Sequence, residues 1–316
     1  MSQSLDEITA AASPANRPAM LTTQTIREFV RAPMPAARRI APELRFSIVM
    51  PSFNHARFIE RSLNSVINQE REGVELIVMD GGSEDGTREI LDRYSRYIAV
   101  WRSEPDQGQS DALNKGFACA TGEIFGWLNS DDLYLPGAFH HAAHVFAAHP
   151  QIDAVYGDWL AIDASEEILE RCPALAASRG RLITEGFFCN AQAMFWRRSL
   201  HARLGEFDTE LHYTMDYDLM LRMISAAGPS AFFRTDRPLG CFRVYLGQKT
   251  GSPDLQAQAT VREEHRRIAE RAGTGWKYSP KGRALRLAYR LTRGAEYLSL
   301  RRRDLVVMKL KKRFGV

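Results

Sequence analysis

Two adjacent aspartates, Asp131 and Asp132, follow a short apolar segment and are the residues best suited to chemistry. The segment 124–128 has the length and composition of a buried strand rather than a helix. The pair therefore comes directly after the carboxyl end of a strand, where open α/β sheets bind their ligands. Neighbouring carboxylates repel each other unless a cation or hydrogen-bond donors accept them. Mg²⁺ held by one or two carboxylates and by substrate phosphates would satisfy the pair, and the alternative is a solvated acidic turn.

Two more aspartates occupy comparable positions. Asp80 ends the apolar stretch 74–79 and begins a glycine-rich segment, 80–87, whose glycines permit positive φ angles and close backbone approach. Asp216 stands at the start of a predicted helix that has an apolar face and stops at Gly228. A turn-stabilising role for Asp80 and an N-cap role for Asp216 are the structural alternatives.

Alternating strands and helices surround these aspartates. The predicted strands are 46–50, 74–79, 98–101, 124–128 and 154–162, and the predicted helices are 56–69, 87–94, 109–120 and 136–148. This alternation predicts an α/β fold with a Rossmann-like, mostly parallel central sheet flanked by helices. Further along, 191–196 is predicted to be a strand, and 232–233 and 241–245 are predicted to be edge strands.

The two ends of the chain differ from its body. Residues 1–44 are rich in Ala, Pro and Ser/Thr and are predicted to be a flexible extension or a loosely docked arm, with a helical turn or two at 23–30. Residues 251–316 are predicted to be a basic helical region. Between 276 and 316 there are 13 Lys/Arg against 2 acids, so this tail carries +11 and the remainder −7 of the net +4.

Composition excludes several classes of protein. A chain of 316 residues with 45% hydrophobic and 25% charged residues is typical of a globular protein. No run approaches the ~18 apolar residues that a membrane span needs, and the N-terminus lacks the order of a secretory signal. The four scattered cysteines argue against zinc and fit reduced cytosolic thiols, so we expect a cytoplasmic protein.

The order and spacing of the motifs across residues 45–250 resemble the family 2 glycosyltransferases, which have the GT-A fold. The matching motifs are Ile-Val-Met-Pro-Ser-Phe-Asn at 48–54, the aspartate–glycine turn at 78–87, Asn-Ser-Asp-Asp at 129–132, and the segments 192–198, 205–208 and 215–219. Two positions depart from the family pattern, because Met215 stands where Glu is frequent and Tyr245 where His is frequent.

The resemblance implies inverting transfer of a sugar from a nucleoside-diphosphate donor to a hydroxyl of a glycan or lipid-linked acceptor, with Mn²⁺ or Mg²⁺, in bacterial polysaccharide or cell-surface glycan synthesis. It implies that Asp132 ligates the metal, that Asp131 contacts the metal shell or the ribose, and that Asp216 is the general base. The donor contacts that it implies are Pro51, Ser52, Asn54, Asp80, Asp111, Lys115 and Gln192. Where Tyr245 replaces the His, Arg243 and Lys249 could still meet phosphate charge.

Other functions remain open. Asp111 and Lys115 lie four residues apart on one helix face, so an exposed ion pair is the alternative to nucleotide contact. A sugar-1-phosphate nucleotidyltransferase and a non-catalytic nucleotide-sugar-binding protein are the rival functions. The basic tail suits either an anionic membrane surface or packing on the domain. We therefore expect a cytoplasmic protein, with peripheral association at the inner face of the membrane if the tail contacts lipid, and nucleic acid is not expected as a partner.

Overall fold

A computed structural model describes residues 21–31, 44–69, 73–249 and 254–275, together with 279, 280, 284 and 287. Its strands are β1 (Phe46–Ser52), β2 (Val74–Asp80), β3 (Val100–Ser103), β4 (Ile124–Trp127), β5 (Leu133–Tyr134), β6 (Ala154–Ile162), β7 (Ile168–Cys172), β8 (Met194–Arg197) and β9 (Phe232–Arg243). Its α-helices are α1 (Thr23–Arg31), α2 (Ile59–Ile67), α3 (Thr87–Tyr94), α4 (Gln109–Cys119), α5 (Ala138–Ala148), α6 (Arg179–Glu185), α7 (Arg198–Leu204), α8 (Met215–Ala227) and α9 (Leu255–Arg271).

All nine strands belong to one sheet, in the order β3-β2-β1-β4-β8-β6-β9-β5, with β7 paired to β6. The half formed by β3, β2, β1 and β4 is parallel, as the alternation of strands and helices predicts. The second half is mixed, since β8 runs antiparallel to both β4 and β6, whereas β6 and β9 are parallel. The carboxyl ends of β1, β2 and β4 therefore meet at one edge of the sheet.

Helices cover both faces of the sheet, and every residue of β1 is buried. On one face, Val49 of β1 belongs to an apolar cluster with Leu113 of α4 and Leu219 of α8. On the other face, Ile48 packs in a cluster with Leu63 of α2 and residues of α3 and α5. Two buried faces explain why these strands are continuous apolar runs rather than alternating ones.

The described part of the N-terminal extension is a docked helix. α1 buries Ile26 and Val30 in a third apolar cluster, which includes Leu133 and Leu135 on either side of Tyr134. Asn64 of α2 also donates a hydrogen bond to the carbonyl oxygen of Val30 at 2.9 Å. The expected flexibility therefore does not hold for 23–31. The division into three regions stays a prediction, because residues 1–20, 32–43 and most of the basic tail lie outside the described residues.

The expected pair of short edge strands at 232–233 and 241–245 is wrong. A single 12-residue strand, β9, spans Phe232–Arg243 and lies inside the sheet between β6 and β5. The polar residues and Pro238 in its middle hid this continuity, because β6 accommodates them by register shifts around Asp158. Among the described residues, no helix is both long and apolar enough to cross a membrane.

Candidate active site

A cleft of about 620 Å³ lies at the edge of the sheet where β1, β2 and β4 end. Its lining comes from the residues at and after the end of β1, the residue after β2, the segment 105–112 after β3, the turn after β4, and the segment 242–249. Of the predicted donor-binding residues, Pro51, Ser52 and Asp131 line it. The strand order brings these sequence-distant segments together, as expected for ligand sites in open α/β sheets.

Asp80 lies beside the cleft with its carboxylate held by the protein. One oxygen accepts from the hydroxyl of Ser83 at 2.5 Å, and the other accepts from the backbone of Ser83 at 2.9 Å and from the hydroxyl of Ser103 at 2.6 Å. Asn54 is exposed, and its side-chain oxygen accepts from the backbone of Glu84 at 3.0 Å. Both residues therefore fix the glycine-rich turn in this structure.

The twin aspartates point in different directions. Asp131 lines the cleft, and its Oδ2 accepts a 2.9 Å hydrogen bond from the hydroxyl of Tyr245. Asp132 is fully buried, with Oδ1 accepting from the backbone N–H of Arg243 at 2.9 Å and Oδ2 accepting from Asn129 at 3.2 Å. Burial, followed by the charge of Asp131, raises the pKa of Asp132 well above its usual value. Asp131 is thus the member of the pair that can meet a ligand.

Arg243 is also fully buried, so the expectation that it meets phosphate is wrong. Its Nε donates to the backbone oxygen of Asp131 at 2.7 Å, and its Nη1 donates to the carboxylate of Glu166 at 2.9 Å. The guanidinium also lies 4.7 Å from the ring centroid of Phe58. Arg243 is therefore an internal support of the turn that carries the aspartates.

Lys249 provides the positive charge expected at the cleft. It lines the cavity, and its ammonium group lies 5.4 Å from the ring centroid of Tyr213. The carboxylates of Glu264, Asp216 and Asp106 all lie within range of its charge. This links Asp216 to the cleft, although Asp216 is not itself among the lining residues.

Asp216 lies in the first turn of α8, partly buried. Its Oδ1 accepts a 2.8 Å hydrogen bond from the backbone N–H of Tyr217. Burial raises the pKa of Asp216 to about 6, and the hydrogen bond from Tyr217 and the charge of Lys249 oppose this shift. A carboxyl group with this pKa is deprotonated at neutral pH and is more basic than an ordinary aspartate.

Three other predicted donor-binding residues do not line the cleft. Lys115 forms ion pairs with Asp111 at 3.2 Å and with Glu104 at 3.4 Å, and neither Asp111 nor Lys115 lines the cleft. Gln192 is buried, and its Nε2 has no hydrogen-bond partner among the described residues. The structure therefore gathers Pro51, Ser52 and Asp131 but not these three.

A sequence profile described as glycosyl transferase family 2 matches residues 47–204, which is half of the chain. The chain belongs to this family. An uncharacterized glycosyltransferase of Nostoc sp. is 33% identical over 107 residues, which cover 33% of this chain and 33% of that protein. A PGL/p-HBAD biosynthesis glycosyltransferase of Mycobacterium bovis is 30% identical over 188 residues, or 57% of this chain and 70% of that protein.

Solved structures of glycosyltransferases share the GT-A fold with this family 2 chain. The fragment 1-349 of S. aureus TarS in complex with UDP-GlcNAc aligns with a TM-score of 0.57 at 15% identity, covering 81% of this chain and 79% of that fragment. The mannosyltransferase PcManGT of Pyrobaculum calidifontis, solved with GDP-Man and Mn²⁺, aligns with a TM-score of 0.50 at 18% identity, covering 91% of each chain.

The metal motif that the family resemblance implies, residues 129–132, lies in the turn after β4. Across the described ranges, no group of three or more His, Cys, Asp or Glu residues could hold a metal ion by itself. The donor set at the cleft is the carboxylate of Asp131, whose Oδ2 accepts a hydrogen bond from Tyr245 and whose Oδ1 has no hydrogen-bond partner among the described residues. One carboxylate with substrate phosphates is a donor set that fits Mg²⁺, so the fit depends on a bound diphosphate.

Sequence reasoning missed several residues that line the cleft of this family 2 chain, among them Phe53, His55, Asp106 and Gln109. His55 Nδ1 lies 2.6 Å from the hydroxyl of Ser130, and Gln109 donates to Asn129 at 2.8 Å. The available signal was position, because Phe53 and His55 follow the end of β1 and Asp106 and Gln109 follow β3. Residue type alone gave no reason to select them.

Proposed function

We propose that this chain transfers a sugar from a nucleoside-diphosphate donor to an acceptor hydroxyl, with inversion and with a divalent metal. The observation that carries the proposal is that the cleft brings Asp131 and Lys249 together, with Asp216 in reach of the Lys249 charge. An acidic metal ligand, a cation for phosphate and a carboxylate base are the three groups that such a reaction uses.

The donor would lie with its diphosphate between Asp131 and Lys249. Mn²⁺ or Mg²⁺ would be held by the free oxygen of Asp131 and by the phosphates, and when bound it would neutralise charge that develops on the leaving group. The hydroxyl of Tyr245 fixes the Asp131 carboxylate. Asp132 supports this arrangement from the interior, which revises the expectation that Asp132 is the metal ligand.

Asp216 would accept the proton of the acceptor hydroxyl as the oxygen attacks the anomeric carbon. Its pKa of about 6 makes it a better proton acceptor than an ordinary aspartate while it remains ionised at neutral pH. The anomeric bond to the diphosphate breaks as the new bond forms on the opposite face. A single displacement of this kind inverts the anomeric configuration and needs no covalent enzyme intermediate.

The acceptor is proposed to be a glycan or a lipid-linked glycan. The proposed setting is the synthesis of bacterial polysaccharide or cell-surface glycan at the cytoplasmic side of a membrane. The Mycobacterium bovis relative is named for PGL/p-HBAD biosynthesis, which supports a glycoconjugate acceptor. The basic tail from 276 to 316 would provide the membrane contact, and nearly all of it lies outside the described residues.

A donor screen tests the proposal. Thermal stability is measured with a panel of nucleoside-diphosphate sugars, each with and without Mn²⁺, because a ligand that binds only the folded state raises apparent stability by mass action. We expect one donor class to stabilise the protein more with Mn²⁺ than without it. NMR of the product anomeric proton then establishes inversion or retention.

Two results would favour the rival functions instead. Pyrophosphate release from a nucleoside triphosphate and a sugar 1-phosphate would indicate a nucleotidyltransferase. Donor binding without transfer to any acceptor and without hydrolysis, unchanged by Asp216→Asn, would indicate a non-catalytic binding protein.

A further inference from the structure

The N-terminal helix α1 lies outside the matched family region, yet it contacts the surroundings of the twin aspartates from two directions. Its apolar face packs Ile26 and Val30 with Leu133, the residue directly after Asp132, and with Leu135. Its polar residues reach the turn between β6 and β7. Arg27 Nε donates to the backbone oxygen of Ser165 at 2.9 Å.

Glu166, in that turn, is the residue where these contacts converge. Its side chain is completely buried, and its backbone has a φ of 65°, which is unusual for a residue other than glycine. Its carboxylate faces three arginines from three elements: Arg31 of α1 at 3.3 Å, Arg61 of α2 at 3.3 Å and Arg243 of β9 at 2.9 Å. A buried carboxylate that is satisfied in this way holds its partners in one geometry.

Arg243 carries this geometry to the cleft. While Glu166 holds one end of the guanidinium, Nε holds the backbone of Asp131, and the backbone N–H of Arg243 holds the carboxylate of Asp132. Asp131 is then the one acid of the turn that faces the cavity. Removing Glu166 would leave Arg243 buried with an uncompensated charge, and such a charge drives local rearrangement.

We propose that Glu166 and Arg243 are positioning residues of the donor site and that α1 is part of the same support. α1 and Glu166 fix Arg243, and Arg243 fixes the turn that presents Asp131 to the diphosphate. This inference depends on the proposed function in one respect, which is that the ligand of Asp131 is taken to be the diphosphate of a sugar donor. The coupling between Glu166 and the aspartate turn is a property of the ligand-free protein and is tested there.

Amide hydrogen exchange of the full-length, ligand-free protein measures this coupling. The informative amides are those of Asp132, bonded to the oxygen of Asn129 at 3.1 Å, and of Arg243, bonded to Asp132 at 2.9 Å. We expect Glu166→Gln to speed their exchange about tenfold, with β2 unchanged, because the turn opens locally without global unfolding. The matched control is Glu167→Gln, which neutralises the neighbouring, half-exposed carboxylate but leaves an amide oxygen that can accept from Arg27 of α1.

Equal exchange at Asp132 and Arg243 in the Glu166→Gln and Glu167→Gln proteins would overturn the proposal. If Glu166→Gln does not fold, Glu166→Asp decides, because it keeps the charge but withdraws it from Arg243. Intermediate acceleration at the same two amides supports the proposal, and wild-type exchange rejects it.

A second pair of variants tests the helix. Val30→Ala removes a buried contact of α1, and Glu28→Ala changes its exposed side. We expect Val30→Ala to speed exchange at Asp132 and Arg243 and Glu28→Ala to leave it within about twofold. If both behave alike, α1 does not support the turn. Titration of UDP and GDP with Mn²⁺ into the same proteins reports donor affinity separately, so failure to bind either nucleotide bears on the proposed function and not on this coupling.

Discussion

Asp131 and Asp132 are adjacent in sequence but have opposite environments. The Asp131 carboxylate lines the cleft, whereas the Asp132 carboxylate is fully buried and receives hydrogen bonds from Arg243 and Asn129. Removing a buried acceptor leaves its hydrogen-bond donors unsatisfied. Removing a carboxylate at the cleft leaves its donors in reach of water, which can accept their hydrogen bonds instead. The two residues should therefore fail in different ways when they are replaced.

We expect Asp132→Ala to lower the free energy of unfolding by about 1–3 kcal/mol, because the N–H of Arg243 loses its buried acceptor. Asp131→Ala should lower the free energy of unfolding by less than Asp132→Ala does, because the hydroxyl of Tyr245 at the cleft can bond to water instead, but it should remove the Mn²⁺-dependent part of donor binding. Urea unfolding and calorimetric titration measure the two effects. Asp132→Asn is the control, since it keeps the shape of the side chain. Wild-type stability in Asp132→Ala would contradict the assignment of Asp132 to the interior.

Asp216 predicts a particular pH dependence. Its pKa in the folded protein is about 6, so transfer should fall about tenfold per pH unit below pH 6 as the base becomes protonated. Asp216→Asn should slow transfer by at least about 10²-fold at pH 7.5. Initial rates between pH 5 and 8 provide the measurement. A rate that stays level down to pH 5, or near-normal transfer by Asp216→Asn, would exclude Asp216 as the base.

The raised pKa of Asp216 also predicts how the stability of the folded protein depends on pH. Because folding raises the pKa of Asp216 from 3.8 to about 6, the folded state binds more protons between these values, and its stability falls as pH rises through that window. Asp216→Asn removes this loss. We expect the variant to be more stable than wild type by about 1–3 kcal/mol above pH 6 and equal to it below pH 3.8. Equal urea unfolding curves at pH 7.5 would show that the carboxylate is not destabilised by burial.

The sequence predicted where these residues lie better than what each one contacts. Asp80, Asp131, Pro51 and Ser52 follow from the ends of apolar strands, and the parallel half of the sheet brings those ends together. Which of two adjacent acids faces the cleft depends on Arg243, 111 residues after Asp132. A partner at that separation has no local signal, because the contact depends on the pairing of β9 with β5 in the folded sheet.

At the scale of elements, the central position of β9 explains both a wrong prediction and a tight contact. The middle of β9, residues 234–238, reads Arg-Thr-Asp-Arg-Pro, so no apolar periodicity marks it as one strand. Its continuity comes from pairing with β6. Where β9 passes the short 3₁₀ helix that holds Gln192, a Cβ on Gly240 would lie 2.4 Å from the Gln192 backbone oxygen.

We expect Gly240→Ala to lower the free energy of unfolding by about 1–3 kcal/mol, because the added methyl group meets backbone atoms that cannot move alone. Gly180→Ala in α6 is the matched control, since its Cβ would meet only a side-chain oxygen at 3.8 Å and alanine favours helix. Urea unfolding of both variants provides the comparison. Similar stability in the two proteins would contradict the close packing of β9 against the Gln192 segment.

α1 is the second element whose structure the sequence indicated only in part. Its apolar spacing predicted a helical turn, but the surrounding proline-rich composition favoured a flexible extension. The structure resolves this through tertiary contacts, because Ile26 and Val30 are covered by residues from β5, β6 and β9. A short helix of this kind obtains most of its stability from packing rather than from its own sequence.

At the scale of the whole molecule, charge is distributed unevenly along the chain. The part before residue 276 carries −7 and the tail carries +11. The acidic body includes the aspartates of the cleft, which would repel an anionic surface. Attraction to such a surface would therefore have to come from the tail, whose Leu, Val, Tyr and Met residues alternate with Lys and Arg.

We expect the full-length protein to float with vesicles that contain about 30% anionic lipid and to remain in solution with neutral vesicles. The reason is that each well-placed cation contributes about 1 kcal/mol at an anionic surface. The variant that tests the tail changes Arg301, Arg302 and Arg303 to Gln in the full-length chain. The matched control changes Arg262, Arg266 and Arg267, which have the same total charge and lie in α9. Loss of flotation in the first variant alone supports membrane contact through the tail.

Equal flotation of both variants would mean that the tail is not the contact, and absence of flotation in the wild-type protein would exclude this membrane surface as a partner. Raising salt from 0.1 M to 0.5 M should release the wild-type protein, since charge attraction is screened over a shorter distance at higher ionic strength.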